Sequence, residues 1–197
     1  MKYILAIPLF FFCIALSAQD KGEFTDIRDG EVYNTVQIGE QVWMAENLNH
    51  SSKSAGAIYS NSSMLSEVFG KLYCWEMAME VCPDGWHLPS DDEWITLADH
   101  LGGEDVAGGK MKEISKYWNS LHEEANNESG FSALPGGYLE DPEDTSYPYM
   151  GEMGFFWSTK EKSGSSAWFR YVKYDCSLLK SGNGDKEFGM SVRCLQD

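Results

Sequence analysis

Two cysteine-bearing segments near opposite ends of the chain constrain its fold more than any other feature. The first is Cys82-Pro-Asp-Gly-Trp-His-Leu-Pro89 and the second is Ser191-Val-Arg-Cys194. A bridge between them would tie the end of a domain back to its first half. Cys74 and Cys176 are the other cysteines that follow the N-terminal apolar run. An even count of four in an exported chain argues for two disulfides, and the residues alone leave three pairings open. A zinc site competes with that reading, but no Cys-x-x-Cys or clustered Cys/His spacing is present.

Export is read from residues 1–18. Lys2 supplies the charged start, Tyr3 to Ala15 is an uncharged apolar run, and Ser17 and Ala18 are the small residues a signal peptidase requires. Cleavage after Ala18 leaves Gln19 first, and cleavage after Ser17 is the alternative. The run is too short for a membrane span of ~20 residues. Cys13 follows Phe10-Phe11-Phe12, where a lipobox needs small residues, so it reads as part of the signal. The expected organisation is signal peptide 1–18, a short segment 19–25 and one domain from 26 to 197.

The net charge of −16 repels phosphate backbones, so nucleic acid is excluded as a partner. No second long apolar run follows the signal, and no stable membrane span is expected in the mature chain. Aromatic residues make up 14% of the sequence, enough to build a full core.

Alternation at Val32, Asn34, Val36 and Ile38 predicts a half-buried strand, with Gly39-Glu40 as a two-residue turn and Gln41 to Met44 returning. His50 to Met64 reads as a loop. Tyr73 to Val81 carries helical spacing with one wet strip at Glu76 and Glu80, which predicts a helix buried on most sides and ended by Pro83. Ser90 with Glu93 three residues later is a capping box, and Trp94, Leu97, Ala98 and Leu101 form the inward stripe of the next helix. Gly102-Gly103 stops it. Val106 to Ile114 is a weaker third helix, interrupted by Gly108-Gly109. Phe155 to Trp157, Ala167 to Tyr174 and Met190 to Cys194 read as strands, with Gly182-Asn183-Gly184 as a turn. Strands, then helices, then strands predict an α+β domain with two main helices segregated on antiparallel sheets. Asn49-His50-Ser51, Asn61-Ser62-Ser63 and Asn127-Glu128-Ser129 match the glycosylation sequon, a short pattern with many false positives.

The segments together resemble the Fibrobacter succinogenes major paralogous domain family. The matching stretches are Asp29-Gly-Glu-Val-Tyr33, Val36-Gln-Ile-Gly39, Gln41-Val-Trp-Met-Ala-Glu-Asn-Leu48 and Gly70-Lys-Leu-Tyr73. They continue through Cys82 to Ser90, Glu93-Trp94, Ser129-Gly-Phe-Ser-Ala-Leu-Pro-Gly-Gly-Tyr138, Phe156-Trp157-Ser158 and Ser191-Val-Arg-Cys194. The likeness runs from about Asp26 to Gln196. It implies a C-type-lectin-like fold, in a superfamily that also holds sulfatase-modifying factors, and an exported bacterial protein of no established biochemical function. It also implies a bridge between Cys82 and Cys194, worth about 4–5 kcal/mol on the chain-entropy account. Cys74 and Cys176 would then be the second pair, although position 74 is outside the family pattern.

Calcium-dependent sugar binding is one functional expectation. Asp141, Glu143 and Asp144 offer hard oxygen ligands in an acidic loop, but their order differs from that of sugar-binding lectins, and Trp118-Asn119-Ser120 lacks the final acid. Aromatic stacking on a glycan is another, with Tyr138, Tyr147 and Tyr149 flanking that loop. Trp43, Trp75, Trp86, Trp94 and Trp157 lie in structural motifs and read as core. Catalysis has little support: Gly-x-Ser-x-Gly, phosphate-loop and His-Glu-x-x-His patterns are absent. His87 reads as a packed structural residue and His122 as a surface one. The leading expectation is therefore a non-enzymatic module binding a glycan or protein outside the cell. The alternatives are an extracellular enzyme related to the sulfatase-modifying factors and a structural envelope component.

Overall fold

A computed structural model describes residues 20–50, 63–120, 123–141 and 146–197. The signal segment 1–18, most of the His50 to Met64 loop, His122, Glu143 and Asp144 lie outside these residues. Two five-stranded sheets carry the architecture. The first holds β1 (Lys21–Thr25), β2 (Val32–Ile38), β3 (Gln41–Met44), β10 (Leu195–Gln196) and β5 (Trp86–His87), in that order. The second holds β4 (Leu72–Tyr73), β9 (Met190–Ser191), β6 (Met153–Ser163), β7 (Ser166–Lys173) and β8 (Leu179–Asp185). The helices are α1 (Ser63–Phe69), α2 (Trp75–Ala78), α3 (Asp91–His100) and α4 (Glu104–Met111). This is a mixed α+β domain with few helices, and among the described residues none is long and apolar enough to cross a membrane.

The β2–β3 hairpin forms as its alternation predicts, with Ile38 opposite Gln41 and Gly39 at φ 64° in the turn. The buried face is not the predicted one throughout. Val32 and Asn34 are exposed, while Tyr33, Thr35, Val36 and Ile38 are buried. The strand changes partners along its length: Tyr33 packs in one core cluster, Val36 and Ile38 in another. Lys21–Thr25, placed outside the domain on sequence grounds, pairs with β2 along its whole length.

The Tyr73 to Val81 helix is corrected. Tyr73 is drawn into β4 opposite Met190, and only Trp75–Ala78 is helical. Glu76 and Glu80 are exposed as the wet strip predicts, but Met79 is exposed too and of the helix only Ala78 is fully buried, so the segment is not wrapped in core. The α3 capping box is present as predicted, with Ser90 and Glu93 each bonded to the other's backbone. Trp94, Leu97 and Ala98 are buried on its inner face. In α4, a Cβ at Gly108 would collide with the Leu178 carbonyl, and the Gly109 N–H donates to Ser177 O at 3.1 Å. The two glycines that weakened the helix in the sequence are what lets it lie against the start of β8.

Gly182-Asn183-Gly184 is not a turn but the middle of β8. Gly182 lies opposite Phe169, whose ring stands 2.6 Å from where a Cβ would be. The phenyl ring covers the glycine, which supplies the packing the strand residue itself lacks.

Trp43, Trp94, Phe131 and Phe156 meet with ring centroids 4.8–5.8 Å apart, joining the first sheet, α3 and the second sheet. Arg193 is fully buried beneath them, its guanidinium 4.2 Å from the Phe131 ring centre. Its donors reach Asn47 Oδ1 at 2.7 and 3.2 Å, Met44 O at 3.1 Å, and the carbonyls of Phe131 and Ser132. Burial pushes its pKa down to about 9, against the raising influence of Glu46 and Glu113. The charge is met by carbonyl dipoles rather than by a direct carboxylate partner.

Cys82 and Cys194 are bridged, with Cα atoms 5.9 Å apart across 112 residues. The expected second bridge does not form: Cys74 and Cys176 are free and half-buried. Cys74 follows β4, while Cys176 lies between β7 and β8. β9 and β6 stand between β4 and β7. At ~4.8 Å per strand, that separation exceeds the ~7 Å Cα limit for a disulfide.

Candidate functional site

The β6–β7 hairpin sets one aromatic face of the second sheet. Period two puts Phe155 and Trp157 on that face of β6, opposite Tyr171 and Phe169 of β7. The next strand brings Lys180, Gly182 and Gly184 opposite Tyr171, Phe169 and Ala167. Because two of those β8 positions carry no side chain, the rings of β7 are not roofed at the sheet edge. Phe188, on the turn after β8, borders the same face and comes within 3.5 Å of a Cβ built at Gly184.

The opposite wall comes from Tyr138, Tyr149 and Met153. The Gly137 N–H donates to Met153 O and the Leu139 N–H to Gly189 O, which fixes Tyr138 beside β6. Its ring stands 5.4 Å from Phe155 and 5.3 Å from Phe188. Tyr149 stacks on Tyr138 at 6.1 Å with planes 22° apart. Tyr149 has φ 62°, a left-handed conformation costly for a bulky residue, and its carbonyl accepts from the Glu152 and Met153 N–H groups. It is also 51% exposed, so the strained backbone presents a ring to solvent.

Together these residues line an open cleft of about 690 Å³. Its rings are Tyr138, Tyr149, Phe155, Phe169, Tyr171 and Phe188. Polar groups stand along β8 at Lys180, Ser181 and Asn183. Lys173, ion-paired to Asp175 at 2.7 Å, and the free Cys176 lie at one end. Burial raises the Tyr138 hydroxyl pKa, with Glu140 and Tyr149 adding to it, so this phenol stays a neutral donor. Such a surface can stack apolar rings and offer hydroxyl, amide and ammonium donors around them.

The structure brings together two of the three tyrosines singled out by sequence. Tyr138 and Tyr149 share the cleft, whereas Tyr147 packs against the separate cluster of Phe69, Leu72 and Leu139. Asp141 is exposed, and the other members of its acidic set, Glu143 and Asp144, lie outside the described residues. Phe155, Phe169, Tyr171 and Phe188 were missed as site residues. For the first three the signal was the alternation in Phe155 to Trp157 and Ala167 to Tyr174, which marks strands without telling the wet face from the buried one; Phe188, on the turn after β8, carried no such signal. Trp168 lies on the other face, with Lys160 and Lys162 over its ring. Trp43, Trp86, Trp94 and Trp157 are buried and Trp75 is half-buried. His87 is more exposed than a packed residue and bonds Asp197 at 2.7 Å and Glu93 at 3.0 Å. Asn127 is engaged within its own loop by Ser132, which donates to Oδ1 and accepts from Nδ2.

Among the described residues one cluster has metal-ligating residue types. Oxygen atoms of Asp26 and Asp29 and a ring nitrogen of His50 lie within 4.8 Å of one another. Arg28 already holds both Asp26 oxygens, at 2.9 Å and 2.6 Å, and Asp29 meets His50 at 2.5 Å. The guanidinium supplies the positive charge a cation would bring, and the group reads as an ion-pair network pinning the turn before β2.

The architecture and cleft define a disulfide-clasped α+β domain with an aromatic recess on one open sheet face. Residues 36–196 match the family model described as the Fibrobacter succinogenes major domain, and the chain belongs to that family. No curated protein and no solved structure matches it.

Proposed function

We propose that this chain is an exported, non-enzymatic module that binds a glycan along the aromatic cleft, within a C-type-lectin-like fold. The observation that carries the reading is the array of six rings around an open cleft, with the exposed Tyr149 held in a strained conformation at its rim. Sugar rings have apolar faces bounded by hydroxyls, and a row of aromatic faces interleaved with polar donors complements both. Among the described residues no carboxylate lines the cleft. A glycosidase would need a pair of them, so binding fits better than hydrolysis. The lectin-like reading is supported by two sheets, a capped helix packed against both and a bridge from the first half to Cys194, the residue before the last strand. Export is supported by the apolar run Tyr3 to Ala15 ahead of Ser17-Ala18. Calcium at Asp141, Glu143 and Asp144 belongs to the same reading as an auxiliary ligand.

The test is a glycan-array screen of the mature chain in calcium and in chelator, followed by titration of the best binder. Tyr149→Ala, which removes an exposed ring, should weaken binding roughly five- to tenfold or more. Chelation should weaken it as well if the acidic loop holds calcium. Failure across the array, or full affinity in Tyr149→Ala, would overturn the glycan reading. Capture of a protein ligand sensitive to Tyr149→Ala would redirect the cleft to protein recognition.

A further inference from the structure

The aromatic cleft carries a charge signature opposite to that of the chain around it. The chain has 31 acidic residues and 15 basic ones, a formal net charge of −16. The charged residues lining the cleft are nonetheless Lys173 and Lys180, and no carboxylate lines it among the described residues. Two carboxylates act on lining residues without lining the cleft themselves. Asp175 pairs with Lys173 at 2.7 Å, and Glu140 bears on the Tyr138 hydroxyl at the opposite wall.

Strand register fixes where the two ammonium groups start. Lys180 of β8 lies opposite Tyr171 of β7, so both side chains leave the same face of the sheet. Lys173 is two residues along β7 from Tyr171 and opposite Met153, another lining residue, which puts it on that face too. The lysines are therefore diagonal neighbours, their stems roughly 7–8 Å apart, with Tyr171 beside both. Their charges are not equally free. Lys173 is answered by Asp175. Lys180 is exposed and its side chain makes no ion pair or hydrogen bond among the described residues. Further along β8 on the same face, Gly182 and Gly184 add no side chain over the half-buried rings of β7.

We propose that the cleft takes an acidic glycan, whose carboxylate or sulfate group is held by Lys180 while the sugar ring stacks on the neighbouring aromatics. This inference rests on the glycan reading of the cleft and adds to it the charge of the ligand. In a pyranose the acid group projects from the edge of the ring. A ring lying flat on Tyr171 directs that group sideways, toward the strand from which Lys180 rises. The contact is a charge-assisted hydrogen bond, stronger than the neutral hydroxyl contacts around it. A neutral sugar would stack equally well but leave the ammonium unmatched.

Calorimetric titration of the full mature chain at neutral pH tests this. Oligogalacturonate, oligomannuronate and hyaluronan oligosaccharides supply carboxylates, and κ-carrageenan oligosaccharides supply sulfate esters. Methyl-esterified oligogalacturonate and galactan oligosaccharides are the neutral controls. Binding of a uronate assigns the carboxylate, and binding of the carrageenan alone assigns the sulfate ester. Either result requires the neutral controls to bind at least about tenfold more weakly. Lys180→Gln removes an exposed, unpaired charge, so the thermal midpoint should stay in place while affinity for the acidic probe falls about three- to tenfold. Lys180→Arg should restore most of that loss. Neutral controls that bind as tightly as the acidic probes and lose affinity in Tyr149→Ala would overturn the acidic inference and leave the glycan reading standing. Unchanged affinity for the acidic probe in Lys180→Gln would have the same effect. No saturable binding of any probe by the folded chain would count against both.

Discussion

Arg170 is 3% exposed on β7 and holds together three elements through its side chain. Its Nε and Nη2 reach Asp91 at the first turn of α3, at 3.0 and 2.6 Å, and its Nη1 reaches Glu104 at the first turn of α4. The two carboxylates sit where the helix dipoles favour negative charge, so the arginine and the helix ends stabilise the same groups. Removing one partner of a buried pair leaves the other unpaired in a low dielectric. Arg170→Ala should therefore cost about 3–5 kcal/mol in urea denaturation. Burial alone would raise the Asp91 carboxyl, but the bonds to Arg170 and then Lys160 hold it below its ordinary 3.8. That stabilisation is full above about pH 3.8 and is lost as pH falls through the lowered folded value. In Arg170→Ala the acid-induced loss of stability attributable to Asp91 should shrink, an outcome readable from denaturation curves between pH 2 and 5.

At the scale of elements, α4 sets two effects against each other. Helix propensity says that Gly108→Ala should stabilise by about 1 kcal/mol. The added Cβ would strike the Leu178 carbonyl, which is backbone and cannot swing aside. Forcing an atom into such a contact costs about 1–3 kcal/mol, so the packing effect wins and Gly108→Ala should lower the melting temperature. A propensity-only outcome, a raised melting temperature, would show that α4 does not lie this close to β8. The same contrast explains what the sequence disclosed about elements. The capping box at Ser90 and Glu93 is local chemistry, and α3 formed where it predicted. Gly182-Asn183-Gly184 is equally suggestive locally, yet forms a strand because Phe169 from β7 packs over Gly182. Tyr73 follows helical spacing but is taken by Met190, more than a hundred residues away. Of the candidate site, Tyr138 and Tyr149 were legible because they flank an evident loop. Phe155, Phe169 and Tyr171 were not, because alternation gives the period of a strand without saying which face stays wet, and Phe188 was not because it lies on a turn.

The whole molecule is closed by the Cys82–Cys194 bridge and by Arg193, its neighbour in the chain. Opening a loop of 112 residues should lower stability by about 2–5 kcal/mol in a Cys82→Ser, Cys194→Ser double variant. Non-reducing peptide mapping of the parent should recover that pair alone, with Cys74 and Cys176 alkylated as free thiols; a Cys74–Cys176 peptide would contradict the strand order of the second sheet. The sequence by itself determined the class of the fold, its family, the β2–β3 hairpin, the α3 start and the segments that carry the clasp. These rest on local periodicity, capping and turn chemistry, or on motifs in fixed order. Only the tertiary structure decided that Cys74 and Cys176 stay apart, that Tyr147 leaves the other two tyrosines, and that Phe155, Phe169, Tyr171 and Phe188 line the cleft. Those outcomes depend on which strands become neighbours and which face a glycine edge leaves open, and such contacts between distant residues leave no local trace in the chain.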